Sequence, residues 1–256
     1  MAPDPASHPG DEAFFRTIDT HRMRAFVRVM RRLPSDPRCA VCRAPFGGSG
    51  GRIMRRFGFG PSRKNPRLCS ECFEKAPVGG QQMTVGVLFA DVRGFTSLAE
   101  RNAPDALADL LNRFYEAAVE SLCRHAIIDK LVGDQVMALY LPQLLGDGAV
   151  EHMVGDAVDL LAAAPAELAI GVGLDYGQAF VGNVGSGEVK DFTAIGDVVN
   201  TAARLQACAA DGEIVVSSRV KEVTDAELAD AEPRSLDLKG KAQPEQAFAL
   251  SASRRG

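Results

Sequence analysis

The amino-acid sequence predicts an α+β fold, with helices packed on one face of a mixed, largely antiparallel sheet and a small cysteine-bearing module ahead of it. Three observations carry this. From about residue 83 onward, short apolar runs alternate with amphipathic stretches. Two pairs of those runs are separated by tight turns, so neighbouring strands run antiparallel and a purely parallel nucleotide-binding sheet is excluded. Upstream, cysteines fall into two C-x2-C pairs, in RCAVCRAP and LCSECFE, the pattern of a metal-stapled module.

The chain has 256 residues, 46% apolar and 24% charged, enough for one medium domain plus a small one. No run approaches the roughly 20 apolar residues of a membrane span, and the first residues lack a signal-peptide pattern, so a cytoplasmic protein is expected. Charge is unevenly distributed. Residues 1–82 carry 15 Lys and Arg against 7 Asp and Glu, while residues 83–256 carry 14 against 26. The shift from basic to acidic marks a boundary near Pro77-Val-Gly-Gly.

Taken in order, residues 1–10 hold three prolines and no periodicity, and read as a disordered tail. Over 11–34, Phe15, Ile18, Arg22, Phe26, Val29 and Leu33 share one helical face. This predicts an amphipathic helix, read first as packing on the second domain or a dimer mate; its arginines also suggest an anionic membrane or nucleic-acid contact. Residues 35–76 form the cysteine module. Cys39, Cys42, Cys69 and Cys72 offer four soft thiolates suited to structural Zn2+, in preference to disulfides or an iron–sulfur cluster. The segment between the pairs, GGSGGRIMRRFGFGPSRKNPR, is rich in Gly and Arg. It shows no recognition-helix periodicity, so nucleic acid is not the expected partner and the metal should supply much of the stability. Residues 77–82 read as a linker.

The second domain, 83–251, is followed by a short tail, 252–256. Strands are predicted at about 84–90, 127–132, 135–141, 168–176, 178–184, 213–217, 233–238 and 246–250, and helices near 95–101, 103–125, 148–163, 197–209 and 218–223. The first strand ends on Asp91, which would face a crevice or simply cap the next helix. A second carboxylate, Asp134, sits at the tip of a hairpin, so both acids could reach one divalent ion. Asn200 and Arg204, four apart, share a helix face. Cys123 and Cys208 read as core thiols, and His8, His21, His125 and His152 show no metal spacing.

Three segments in order, FADVRGFTSLAE, DKLVGDQVMALY and DFTAIGDVVNTAARL, resemble the signatures of the class III nucleotide cyclase catalytic domain. The resemblance spans about Met83 to Leu250 and includes Lys239-Gly-Lys241. It implies the ferredoxin-like cyclase fold and two Mg2+ or Mn2+ ions per active site, held by Asp91 and Asp134 with the Val92 carbonyl. It further implies that Arg204 stabilises the transition state, Asn200 orients the ribose, Lys130 and Thr193 read adenine, and Lys241 (or Lys239) contacts the triphosphate. The implied reaction converts ATP to cyclic AMP and pyrophosphate. In this family one site is built from two chains, so a head-to-tail homodimer is implied; from their position ahead of the domain alone, the amino-terminal helix and zinc module could set how the chains meet, and the reading leaves room for a regulatory protein partner. One departure stands out: the turn at His125-Ala-Ile-Ile-Asp-Lys130 lacks the usual Gly-Gly and is one residue short, which would shift Lys130 and Asp134. Two alternatives follow: a retired cyclase-like nucleotide-binding domain, or a zinc-dependent nucleic-acid-binding regulator with a cyclase-like sensor.

Overall fold

A computed structural model of the chain describes residues 29–30, 37–39, 42–62, 69–74, 79–186, 189–224, 228–238 and 244–252. The first tail, nearly all of the 11–34 helix, Lys239 and Lys241 lie outside the described residues. The chain divides into two compact units, one formed by residues up to Gln81 with Val181–Thr193, the other by Gln82–Phe180 with Ala194 onward.

In the first unit, helices α1 (Gly48–Arg56) and α2 (Ser70–Glu74) belong to the cysteine module. Its core is made of Met30, Ala44, Phe46 and Met54 around Cys39, Cys42 and Cys69. Helix α1 lies in the inter-pair segment, for which the sequence pattern assigns no helix. Three glycines in GSGGRIMRR give it poor intrinsic propensity, so packing must hold it. A Cβ on Gly51 would lie 2.2 Å from the Phe46 carbonyl oxygen, so only glycine allows this approach.

The sheet has eight strands: β1 (Gly79–Val92), β2 (Ile127–Val132), β3 (Gln135–Tyr140), β4 (Ile170–Ser186), β5 (Val189–Ile195), β6 (Glu213–Ser217), β7 (Glu232–Leu236) and β8 (Glu245–Ser251). Their order is β2-β3-β1-β4-β6-β8-β7, with β5 paired to β4. The β1/β3, β2/β3, β6/β8 and β7/β8 pairs are antiparallel and β4/β6 is parallel, giving the mixed, largely antiparallel sheet expected. Helices α3 (Phe95–Arg101), α4 (Pro104–Leu122), α5 (Pro142–Leu145), α6 (Ala149–Ala163), α7 (Asp197–Cys208) and α8 (Ser218–Val223) complete the fold. None of the helices described is long and apolar enough to cross a membrane.

Three expectations are corrected. The residues read as two strands, 168–176 and 178–184, are one long strand, β4, and the hairpin turn lies beyond it, before β5. The segment read as a linker is strand from Gly79 onward. Helices cover both faces of the sheet. On one face α4 and α6 bury Leu110, Phe114, Leu122, Met153 and Leu160 against Leu88, Ala90, Val136, Ala138, Ile170, Val172, Leu174, Ile214 and Val216. The residues between them on the strands point the other way, as the period of two requires. There, Leu205 and Ala209 of and after α7 meet Val215, Ala247 and Ala249. β4 presents Gly171 and Gly173 to that helix, and a Cβ on Gly173 would lie 2.1 Å from the Gln206 nitrogen. The two glycines let α7 lie directly on the strand.

Candidate active site

Asp91, next to last on β1, lies on the α7 face of the sheet, since Ala90 and Val92 point into the opposite core. Its cross-strand partner is Gln135. Asp134 occupies the β2–β3 turn after Gly133, whose φ of 60° is the left-handed conformation that favours glycine. The Val92 N–H donates to the Asp134 carbonyl at 3.3 Å, tying the end of β1 to the hairpin tip. Burial, and then the charge on Asp91, push the Asp134 carboxyl above the ordinary carboxylate range. Asp91 faces Gln135, the residue after Asp134, so both acids are borne on one corner of the sheet, and two hard oxygen donors so placed suit a divalent cation.

Two residues that sequence reasoning missed organise this corner. Arg93 donates through Nη2 to Asp91 Oδ1 at 2.6 Å, and through Nη1 to the Gln206 carbonyl at 3.3 Å, so one guanidinium joins the acid to the carboxyl end of α7. A cation there also suits the negative end of the helix dipole. Tyr115 of α4 donates its hydroxyl to the Gly133 carbonyl and so holds the hairpin tip. Burial, and then the Asp134 charge, raise its phenol above the usual range. The arginine was visible in FADVRGFT as a charge two residues past the acid; nothing in the sequence linked Tyr115 to Gly133.

Lys130 is exposed on β2. The register explains its direction. Ile128 faces Ala138, but Lys130 faces Met137, so Asp129 is a bulge. Met137 also faces Phe89, and directly opposed residues share a face, so Lys130 stands on the same side of the sheet as Asp91. Without the bulge Lys130 would oppose Val136 and point into the core. The turn before β2 is anchored at His125, whose Nδ1 lies 2.9 Å from Asp156 Oδ1, and Asp156 also accepts from the Tyr140 hydroxyl at 3.0 Å. His125 stacks on His152 with ring centroids 3.9 Å apart.

Asn200 is exposed and Arg204 half-buried, both on α7. Thr193 is buried near the end of β5, in the first unit. All four sulfurs of Cys39, Cys42, Cys69 and Cys72 lie within 4.8 Å of one another, with Cys42 and Cys69 Sγ 3.6 Å apart. A tetrahedron with Zn–S bonds of about 2.3 Å requires sulfurs about 3.8 Å apart, so the cluster fits that ion. Backbone N–H groups of Cys69 and Cys72 donate to the Cys39 and Cys69 sulfurs, each at 3.3 Å, which favours thiolates. Among the described residues this is the one cluster of three or more His, Cys, Asp or Glu with ligand spacing.

Residues 79–251 match the model of the adenylate and guanylate cyclase catalytic domain. Two uncharacterized proteins of Mycobacterium tuberculosis, Rv1318c and Rv1320c, are 33% identical over 143 residues and 34% identical over 136 residues. Each alignment covers 52% of this chain, which spans about a quarter of the length of these relatives, 25% and 24%. Among solved structures, the adenylyl cyclase CyaB from P. aeruginosa is 29% identical, with a TM-score of 0.57 over 70% of this chain and 98% of its own. The guanylyl cyclase Cya2 shares the fold, at 23% identity and a TM-score of 0.64 over 69% of this chain and 100% of its own.

Proposed function

The chain belongs to the adenylate and guanylate cyclase catalytic domain family, and on that premise we propose that it is an adenylate cyclase, making 3′,5′-cyclic AMP and pyrophosphate from ATP as a homodimer. What supports this reading is that Asp91, opposite Gln135, and Asp134, at the adjoining hairpin tip, share one corner of the sheet, and that Lys130 stands on the same face as Asp91. With the Val92 carbonyl, the two carboxylates form an oxygen donor set for Mg2+ or Mn2+, two ions per site. When bound, such ions polarise the α-phosphate and favour ionisation of the attacking ribose 3′ hydroxyl.

The remaining work falls to side chains. Arg204 neutralises charge that builds on the phosphate oxygens, and Asn200 holds the ribose so that the 3′ oxygen lines up with the α-phosphorus. Lys241 contacts the triphosphate. Lys130 donates to adenine N1 while the Thr193 hydroxyl serves the exocyclic amine. Guanine carries a proton on N1 and would set donor against donor at Lys130, which favours ATP. Arg93, resting on Asp91, holds that acid until metal and nucleotide take over its charge.

The chain contains the carboxylate pair and the Asn200/Arg204 pair alike. A head-to-tail two-fold dimer, pairing each set with its complement from the other subunit, gives two equivalent sites. In the cysteine module, Cys39, Cys42, Cys69 and Cys72 hold a structural Zn2+. The test is to incubate the pure protein with Mn2+ and either ATP or GTP and to measure cyclic product. ATP should be cyclised, and Asp91→Ala or Arg204→Ala should each lower the rate about 100-fold or more. Absence of product from both nucleotides would end the cyclase reading.

A further inference from the structure

The compact unit that holds the cysteine module also holds Val181–Thr193, a segment drawn from the middle of the catalytic-domain match. The ring of Phe73 lies 6.0 Å from that of Phe192, tilted by 55°, within the range of attractive aromatic pairs. The backbones also meet: a Cβ on Gly80 would stand 2.3 Å from the Val181 carbonyl oxygen, and one on Gly182 2.4 Å from that of Gly79. The β4–β5 arm is therefore attached to the amino-terminal segment at two places.

Each end of the aromatic pair is joined to chemistry. Phe73 directly follows Cys72, and its N–H donates to the Cys69 carbonyl at 3.0 Å. Helix α2, which carries it, has five residues, too few to persist alone, so its place depends on the ligand cysteines. Phe192 directly precedes Thr193. Successive side chains on a strand face opposite ways, so a ring held on one side of β5 fixes the hydroxyl on the other. β5 then runs through Gly196 into α7, which carries Asn200 and Arg204. Phe73 is not part of the module's own core, which is built from Met30, Ala44, Phe46 and Met54 with the cysteines.

We infer that Phe73 is a positioning residue for nucleotide recognition: the metal-clamped cysteine module holds β5 through Phe73 and Phe192, and so sets where Thr193 stands. The inference rests on the reading of Thr193 as a base contact, and the experiment separates the two. Phe73→Ala, Phe73→Leu and Phe192→Ala are made in the full chain, with zinc content measured first. Zinc should remain at about one per chain in all three, because none of these residues is a ligand.

Hydrogen exchange of the β5 amides should rise about 10-fold in Phe73→Ala and in Phe192→Ala, and also in wild type stripped of metal by a chelator, with Phe73→Leu intermediate. In the cyclase assay both alanine variants should raise KM for ATP about 3- to 10-fold, the range a lost aromatic pair gives, with kcat within about 2-fold and a smaller ATP-over-GTP preference. The double variant should be no worse than either single one. Unchanged β5 exchange overturns the inference, as does faster exchange with wild-type KM. If Phe73→Ala loses zinc, Phe192→Ala decides alone, since it changes no residue of the module. A wild type that cyclises nothing while β5 responds as expected would refute the nucleotide reading and leave the arm's anchorage standing.

Discussion

Replacing Gly173 by alanine tests how the sheet places α7. A Cβ there would lie 2.1 Å from the Gln206 nitrogen and 2.4 Å from the Ala202 carbonyl oxygen, and ordinary contact begins at 3.4 Å. Strand and helix must separate by about 1 Å to accept one methyl group, a form of overpacking that costs about 1–3 kcal/mol. For a domain of this size that lowers the melting temperature by about 2–12 °C. Arg204 sits on the displaced turn, between Ala202 and Gln206, and if it has the transition-state role proposed above, a 1 Å error there costs about 100-fold in rate. Differential scanning calorimetry and the cyclase assay on purified Gly173→Ala measure both effects. The control is Gly155→Ala on α6, where a Cβ would meet nothing within 4 Å; it should be neutral or raise stability by up to about 1 kcal/mol. A Gly173→Ala protein with wild-type melting and wild-type kcat would refute the placement of α7 on β4.

Three further outcomes are expected. With 3′-deoxy-ATP and Mn2+ at about 100 times their dissociation constants, wild type should gain about 2.7 kcal/mol, and Asp134→Asn should lose most of that gain in a thermal-shift titration; an equal gain in both would exclude Asp134 as a metal donor. Burial raises the Asp156 carboxyl above its ordinary 3.8, so the native state binds more protons than the unfolded chain above that pH, and stability falls as pH rises through the raised value. Urea midpoints between about pH 4 and about pH 7 should therefore decline in wild type relative to Asp156→Asn, and a relative rise would contradict the sign. Arg219 donates to Asp175, which is fully buried and also accepts from the Ser217 hydroxyl at 2.6 Å. Arg219→Ala should cost about 2 kcal/mol by denaturant titration, below the fully buried range because Arg219 is 39% exposed, and no change would show that the pair is inert.

Much of the fold was legible because its signals are local. The hairpin carrying Asp134 announces itself by two apolar runs around a Gly-Asp turn, and the β1 terminus by an apolar run ending in Asp91. What escaped was written in register and in contacts. Tyr176-Gly177 looks like a turn, yet the strand runs straight through it and Gly177 only faces the Arg219 guanidinium. Gly171 and Gly173 weaken the apolar pattern of β4, and hydrophobic periodicity does not reveal that they seat a helix on the second face of the sheet. Helix α1 was hidden because glycines suppress its propensity and the cysteine core supports it. The Asp129 bulge, which turns Lys130 toward the face of Asp91, follows only from its pairing with β3.

The central claim is that one subunit supplies Asp91 and Asp134 while the other supplies Asn200 and Arg204, and mixing two inactive variants tests it most directly. Asp91→Ala and Arg204→Ala, each nearly silent alone, are combined in equal amounts, allowed to exchange subunits, and assayed for cyclic AMP. Half of the dimers are then mixed, and each rebuilds one intact site of two, so activity should return to about a quarter of wild type. A mixture as silent as its components, with subunit exchange verified by native mass spectrometry, would contradict the shared site.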